Sequence, residues 1–298
     1  IADDMLTTVV LAAKCKKLVA PAMNTAMLEN PITQDNLATL KKYGFGIIEP
    51  SVGMLACKDV GKGKLPDPEV LLDYIAMELA REKTLVGVRV TVTAGPTQES
   101  LDPVRYLTNH SSGRMGYAIA REAMLRGAQV TLVTGPVSLT PPQGAQVEPV
   151  RTTEDLLQRM LALAPEQDIV IQAAAPADYR AQQIAPQKLK KQGDGALTLT
   201  FVPTPDVAKA VGEGKRDGQI LVGFAAETET AVENARKKLD SKHLDMIVAN
   251  DVTQPGAGFD VDTNIATIIT HQQAESLPIM TKKALADEIL TRALALRG

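Results

Sequence analysis

Tryptophan is absent from this sequence, and all aromatic residues together make up only 3% of it. A chain so poor in rings lacks the stacking platforms on which single-stranded nucleic acids bind. A net charge of −3 removes the other requirement, a positive surface for phosphate backbones, so no nucleic-acid partner is expected. Cysteine is almost as scarce. Cys15 and Cys57 cannot make a disulfide framework, and they suit a reducing, cytoplasmic setting. No CxxC or HxxxH spacing exists for zinc, and His110, His243 and His271 are too scattered for a triad. No apolar run approaches the ~20 residues of a membrane helix, so no membrane partner is expected either. The N-terminus, IADDMLTTVV, has two acids and no basic start, which excludes a secretory signal. It also lacks Met, and the expectation is a chain that begins part-way through a domain.

What is present is a globular composition over 298 residues, 45% hydrophobic and 22% charged, with length for two domains. In residues 1–83, KLVA (17–20) and FGIIEP (45–50) read as short strands and residues 30–42 as a helix. Residues 53–66, GMLACKDVGKGKLP, read as a glycine-punctuated loop without period. DPEVLLDYIAMELAREK has helical spacing, with Asp67 as N-cap and Pro68 at the first helical position. From 84 to 298, apolar strands such as RVTVTAG, AQVTLVTGP and LDMIVANDV alternate with helical patterns such as 114–127, TTEDLLQRMLALA and 280–296. The alternation predicts an α/β fold: a Rossmann-like, doubly wound, mostly parallel sheet with helices on both faces. Such a sheet takes ligands at the carboxyl ends of its strands.

Polar, small-residue loops follow these strands: TAGPTQE (93–99), TGP (134–136), AAAPADYR (173–180), GFAAET (223–228) and ANDV (249–252). Each alone reads more readily as an ordinary βα turn; together on one rim of a parallel sheet they make a nucleotide-sized crevice the better reading. TNHSSGRMG (108–116) leads into a helix whose free N–H groups favour an anion, though it has neither P-loop nor GxGxxG spacing. KLKK (188–191) is either solvated charge or an arm whose Lys188 reaches a phosphate. Lys238 and Lys242 share one helix face, which periodicity alone assigns to solvent. PAMN (21–24) sets an amide directly after a strand. Cys57, beside Lys58 and Asp59, is either a small core residue or a thiol activated by its neighbours.

PAMNTAM, LACKDVGKGKLPDP, TAGPTQESLDPVRYLTNHSSGRMG, AAAPADYR, KLKK, GFAAET and ANDV occur in this order. Together, across essentially the whole chain, they resemble the bacterial bifunctional phosphopantothenoylcysteine decarboxylase/phosphopantothenate–cysteine ligases of coenzyme A biosynthesis. The resemblance implies that residues 84–298 join 4′-phosphopantothenate to cysteine. CTP with Mg²⁺ activates the carboxylate as an acyl-cytidylate, releasing pyrophosphate, and the amine of cysteine then displaces CMP. It places Asn109 on the acyl-cytidylate with Arg105 beside it, and Lys188 on the nucleotide. Ala174, Ala175 and Asp178 line the nucleotide site, with Asp178 at ribose, phosphate or metal. Thr204, Pro205, Asp206 and Val207, with Phe224, shape the base pocket. Lys238 and Lys242 meet the triphosphate, which replaces their solvent-face reading. Ser111, Ser112 and Gly113 offer donors to substrate and intermediate.

Residues 1–83 resemble the C-terminal portion of the flavodoxin-like FMN decarboxylase of the same family. There Asn24 binds the substrate carboxylate, Met23 lies near the flavin, and Cys57 acts in the final reduction and protonation. The loop 53–65 closes over substrate. This sequence departs from the pattern in having no His before residue 110, where the family has a catalytic His upstream of Asn24, and in lacking the Gly/Ser-rich flavin loop. The expectation is that this form alone does not decarboxylate. The pattern also expects Gly at Lys58, Arg at Lys64 and an aromatic at Leu28. The family further implies a homo-oligomer. Two competing readings remain: a Rossmann-like oxidoreductase, disfavoured by the missing GxGxxG, and a non-catalytic nucleotide- or flavin-binding protein.

Overall fold

The computed structural model describes residues 2–79, 83–191, 196–227, 231–251 and 261–298, in two compact units, Ile1–Arg81 and Glu82–Gly298. The first opens with α1 (Met5–Ala12), where N-cap Asp4 and Thr7 form a reciprocal capping box. β1 (Leu18–Val19), α2 (Thr25–Leu28) and α3 (Pro31–Lys42) follow, α3 capped by Asn30 with Pro31 at its first position. β2 (Gly46–Ile47) then returns parallel to β1, which needs the intervening helices as a crossover. β3 (Ser51–Met54) and β4 (Val60–Lys64) form an antiparallel hairpin ahead of α4 (Pro68–Leu79). The hairpin corrects the reading of 53–66 as an irregular loop. Its Val52, Met54 and Val60 are all solvent-exposed, so no buried face imposed the alternation by which a strand is recognised.

The second unit runs β5 (Arg89–Ala94), β6 (Gln98–Ser100), β7 (Tyr106–Thr108), α5 (Arg114–Leu125), β8 (Gln129–Thr134), β9 (Gln146–Pro149) and α6 (Thr153–Leu163). It continues with β10 (Ile169–Gln172), β11 (Tyr179–Ala181), β12 (Phe201–Pro203), α7 (Val207–Glu213), β13 (Ile220–Glu227), α8 (Ala231–Ser241) and β14 (Met246–Asp251). It ends with β15 (Thr263–Asn264), β16 (Ala266–Thr270), β17 (Ala274–Ser276), β18 (Met280–Thr281) and α9 (Lys282–Arg297). Eight strands form one sheet in the order β17-β16-β14-β13-β10-β5-β8-β9. All but β16 and β17, antiparallel at one edge, pair in parallel, which is the mostly parallel sheet predicted. The small pairs β6–β7, β11–β12 and β15–β18 are antiparallel additions that periodicity did not reveal.

Alternation along the strands feeds two cores. Val90, Val92, Ile169, Ile171, Ile220, Val222, Met246 and Val248 pack with α5 and α9 on one face. Val170, Leu221 and Ile247 pack with α6, α7 and α8 on the other. Each fully buried aliphatic side chain contributes about 1.5–3 kcal/mol, so both faces must be covered before the rim above them is rigid. α6 is set by Thr152, whose hydroxyl accepts from Asp155 N while the Asp155 carboxylate accepts from Thr152 N. Among the described residues no helix is long and apolar enough to cross a membrane.

Ile171, 0% exposed at the centre of β10, provides the test of this core. Ile171→Ala is expected to cost about 2–5 kcal/mol, read as a lowered urea midpoint with unchanged slope. A loss below about 1 kcal/mol would contradict the packing.

Candidate functional site

The loops after β5 and β10 are knitted together at the rim. The Ala174 N–H donates to Thr93 Oγ1 at 3.0 Å, Ala175 N–H to Gly95 O at 2.9 Å, and Ala177 N–H to Thr97 Oγ1 at 2.8 Å. The Thr97 hydroxyl also meets Thr153 Oγ1 at 2.9 Å, at the start of α6. The Asn109 amide crosses to the same strip, donating to Pro176 O at 2.9 Å and Ala175 O at 3.4 Å. Next to it Gly113 caps α5 at φ 76° without a side-chain cap. A Cβ there would lie 3.4 Å from the backbone of Gly95, so a left-handed glycine suits both the turn and the close approach. Ser111 and Ser112 lie half-buried beside it. Sequence-predicted Asn109, Ala174 and Ala175 are thus brought together.

The 204–207 segment joins the same strip. Thr204 N–H donates to Asp178 O at 2.9 Å, and its hydroxyl to Ala177 O at 2.5 Å. Asp206 caps α7, accepting from Lys209 N–H at 3.0 Å, and pairs with Lys242 Nζ at 2.8 Å. Val207 is buried in the core below, whereas Pro205 is half-buried and Asp178 exposed. Lys238 and Lys242 do not form a solvent face. Both line a cavity of about 100 Å³ with Thr93, Gln172, Ala174 and Phe224. Gln172 was not singled out in the sequence. Its Nε2 is buried without an acceptor, a cost of about 1–3 kcal/mol that a ligand acceptor would remove. Thr228 and Val252, which complete two of the predicted loops, lie outside the described residues.

Lys188 is exposed, and its neighbour Leu189 is held at both backbone groups. Leu189 N–H donates to Asp102 Oδ2 at 3.0 Å, and Arg105 Nη1 donates to Leu189 O at 2.9 Å. Arg105 therefore reaches the Lys188 arm.

In the first unit, Asn24 caps α2 by accepting from Ala26 N–H at 2.8 Å through Oδ1. That use fixes the amide, so Nδ2 is the group facing Cys57 Sγ, 3.1 Å away. Cys57, at the hairpin tip, also meets Asp59 Oδ2 at 3.5 Å and is exposed rather than a core residue. The contact depends on Gly63. At φ 139° its O accepts from Met23 N–H at 3.0 Å, and a Cβ there would lie 2.1 Å from Met23 O. Lys58 stands at φ 69°, a conformation glycine adopts at no cost, in line with the Gly that the resemblance expects there. Met23, Asn24, Met54, Leu55, Cys57 and Leu65 help line a cavity of about 360 Å³.

The profile of the DNA/pantothenate metabolism flavoprotein C-terminal domain matches residues 85–296, and that of the flavoprotein family matches residues 1–80. The coenzyme A biosynthesis bifunctional protein CoaBC of Bacillus subtilis is 48% identical over 300 residues, 99% of this chain and 73% of that protein. The chain belongs to the CoaBC family. The CoaBC of Vibrio vulnificus strain YJ016 is 44% identical over 297 residues, 99% of this chain and 74% of that protein. A crystal structure of a CoaBC C-terminal domain matches with a TM-score of 0.62 and 39% identity, over 72% of this chain and 98% of that one.

Burial pushes the Asp206 carboxyl up, but the Lys242 ammonium and the Lys209 and Ala208 N–H groups outweigh it and hold it below the usual 3.8. A depressed carboxylate stabilises fully above its unfolded pKa, and the contribution disappears as pH falls through the folded value. Asp206→Ala is expected to lower the thermal midpoint at neutral pH, the lost cap alone costing about 1 kcal/mol. The gap to wild type should narrow below pH 3.8. A gap constant with pH would show that the charge on Asp206 contributes nothing.

Proposed function

We propose that this CoaBC family member is a bifunctional enzyme of coenzyme A biosynthesis. Residues 84–298 act as the phosphopantothenate–cysteine ligase and residues 1–83 belong to the phosphopantothenoylcysteine decarboxylase. The observation that carries the ligase reading is the rim cavity in which Phe224, Lys238, Lys242 and the unpaired amide of Gln172 converge, alongside Asn109 and the 204–207 segment. A nucleotide supplies a ring acceptor for the Gln172 Nε2, which has none, and phosphate oxygens that the two ammonium groups can bind.

A carboxylate is a poor electrophile, and its cytidylate is a good one. The carboxylate of 4′-phosphopantothenate attacks the α-phosphorus of CTP, and the bond to pyrophosphate breaks. Lys238 and Lys242 bind the triphosphate, and Lys188 offers its cation to the charge that develops on it. The amine of cysteine then attacks the acyl carbon and CMP leaves. Asn109 donates to the acyl-cytidylate, and Ser111, Ser112 and Gly113 supply further donors at the start of α5. Arg105 stands beside the intermediate. Among the described residues no cluster of three His, Cys, Asp or Glu could hold a metal. The donor set fits Mg²⁺ carried mainly by triphosphate oxygens, with the exposed carboxylate of Asp178 as its protein ligand.

The lining of the first unit's cavity is mostly apolar, with Asn24 and Cys57 as polar groups, which fits one side of a flavin ring near Met23. FMN, when bound, supplies the two-electron oxidation that lets carbon dioxide leave. Asn24 binds the substrate carboxylate and orients the Cys57 thiol, which delivers a proton with Asp59 as its hydrogen-bond partner. The setting the family implies is a cytoplasmic homo-oligomer.

Pyrophosphate release with 4′-phosphopantothenate, Mg²⁺ and CTP, before cysteine is added, tests the ligase reading. Release with ATP alone would overturn the nucleotide, and no release with either would leave a binding protein. Asn109→Asp should let acyl-cytidylate accumulate, and Lys188→Gln should cut pyrophosphate release; wild-type behaviour in either removes that role. Gln172→Leu should raise the KM for CTP by about tenfold, one lost hydrogen bond to a buried group, while the thermal midpoint holds or rises. An unchanged KM would separate Gln172 from the nucleotide.

A further inference from the structure

Asp102 lies in the turn between β6 and β7 and is 2% exposed, with its side chain wholly covered. A buried carboxylate must collect donors or neutralise. Asp102 Oδ1 accepts from Val104 N–H at 2.7 Å and Arg105 N–H at 2.8 Å, and these two bonds close its own turn. Leu101 N–H donating to Arg105 O at 2.9 Å closes it again. The turn therefore needs nothing from elsewhere. Yet Oδ2 accepts from Leu189 N–H at 3.0 Å, 87 residues away, and pairs with Arg105 Nη1 at 3.4 Å. The same Nη1 donates to Leu189 O at 2.9 Å. One ion pair thus occupies both polar backbone groups of a single residue. Four residues upstream, Ala185 N–H donates to Leu101 O at 3.0 Å. The segment 185–189 is pinned at both ends to the turn, and Lys188 sits between the pins with its side chain in solvent.

Fixing a backbone residue costs conformational entropy, and a lysine on a free loop would meet that cost each time it approached a nucleotide. Pinned beforehand, it meets it during folding instead. We propose that Asp102, acting with Arg105, is a positioning residue for the activation step: it clasps Leu189 so that Lys188 is held at a fixed reach over the nucleotide. This rests on the ligase reading above and adds a residue that the reading does not contain. Burial opposes the charge on Asp102, but the Leu189, Val104 and Arg105 N–H groups and the Arg105 guanidinium outweigh it and hold the carboxyl below the usual range. The clasp accordingly stays charged through neutral and mildly acid pH.

The test is a double-mutant cycle in the full chain, measuring CTP-dependent pyrophosphate release with 4′-phosphopantothenate and Mg²⁺. Asp102→Asn should lower kcat for that step by about tenfold or more with the KM for 4′-phosphopantothenate little changed. In a Lys188→Gln background the same substitution should cost less than about threefold, because the residue it positions is gone. Equal losses in both backgrounds, or no loss in wild type, overturn the proposal. Amide exchange guards against a variant that fails to fold. In wild type the Leu189 N–H should exchange slowly, and an exchange rate like that of a free loop overturns the clasp without any substitution. If wild type releases no pyrophosphate with CTP while Leu189 stays protected, the ligase reading has failed, and the positioning role with it. Release with an unprotected Leu189 fails the clasp alone.

Discussion

The hydroxyls of Thr93 and Thr97 hold the loop after β10 against the loop after β5, and the candidate ligase site depends on that seam. β5 and β10 are adjacent parallel strands, so their carboxyl ends emerge side by side with backbone N–H groups that no strand partner satisfies. The threonines take two of these, at Ala174 and Ala177, and the Gly95 carbonyl takes Ala175. With that strip fixed, its carbonyls become anchors. Asn109 docks on Pro176 and Ala175, and the Thr204 hydroxyl docks on Ala177. Asp206 then reaches Lys242, the residue just past α8. Loops that are separate in sequence are registered against one another through a few hydrogen bonds to one short stretch of backbone.

The first unit solves a similar problem by different means. Among its described residues no sheet exceeds two strands, and few side chains are buried. Its thiol is placed by a hairpin that approaches the Met23–Asn24 segment closely enough to exclude any side chain at Gly63. The Asn24 side chain divides its two ends between a helix cap and the sulfur, so the geometry of α2 is transmitted to Cys57.

Much of this was legible in the chain because the signals are local. Alternation of apolar strands and amphipathic helices disclosed the doubly wound sheet, and Pro68 marked the start of α4. TTEDLLQRMLALA offers Thr152 or Thr153 as the cap of α6, and the structure uses Thr152. Where the signal is not local, reading failed. Lys238 and Lys242 have the spacing of a solvent face, and only the cavity against Phe224 and Gln172 makes them inward-facing; the family resemblance supplied that, periodicity did not. The hairpin of β3 and β4 buries no continuous face, so it left no alternation. Asp102 has the local mark of a turn residue but none of its link to Leu189, and Gln172 has no local mark. The first binds a backbone 87 residues away, and the second is distinctive only through a partner it lacks.

The β6–β7 hairpin has Asp102 and Arg105 at its turn and Asn109 just beyond its second strand. One short antiparallel pair therefore sets the span between the segment that carries Lys188 and the Asn109 amide, like a ruler with a mark at each end. The register Gln98↔Thr108, Glu99↔Leu107, Ser100↔Tyr106 makes that span a matter of residue count rather than of side-chain identity. A single residue inserted into either strand would shift the Lys188 segment and the Asn109 amide relative to each other while leaving every one of those side chains in place.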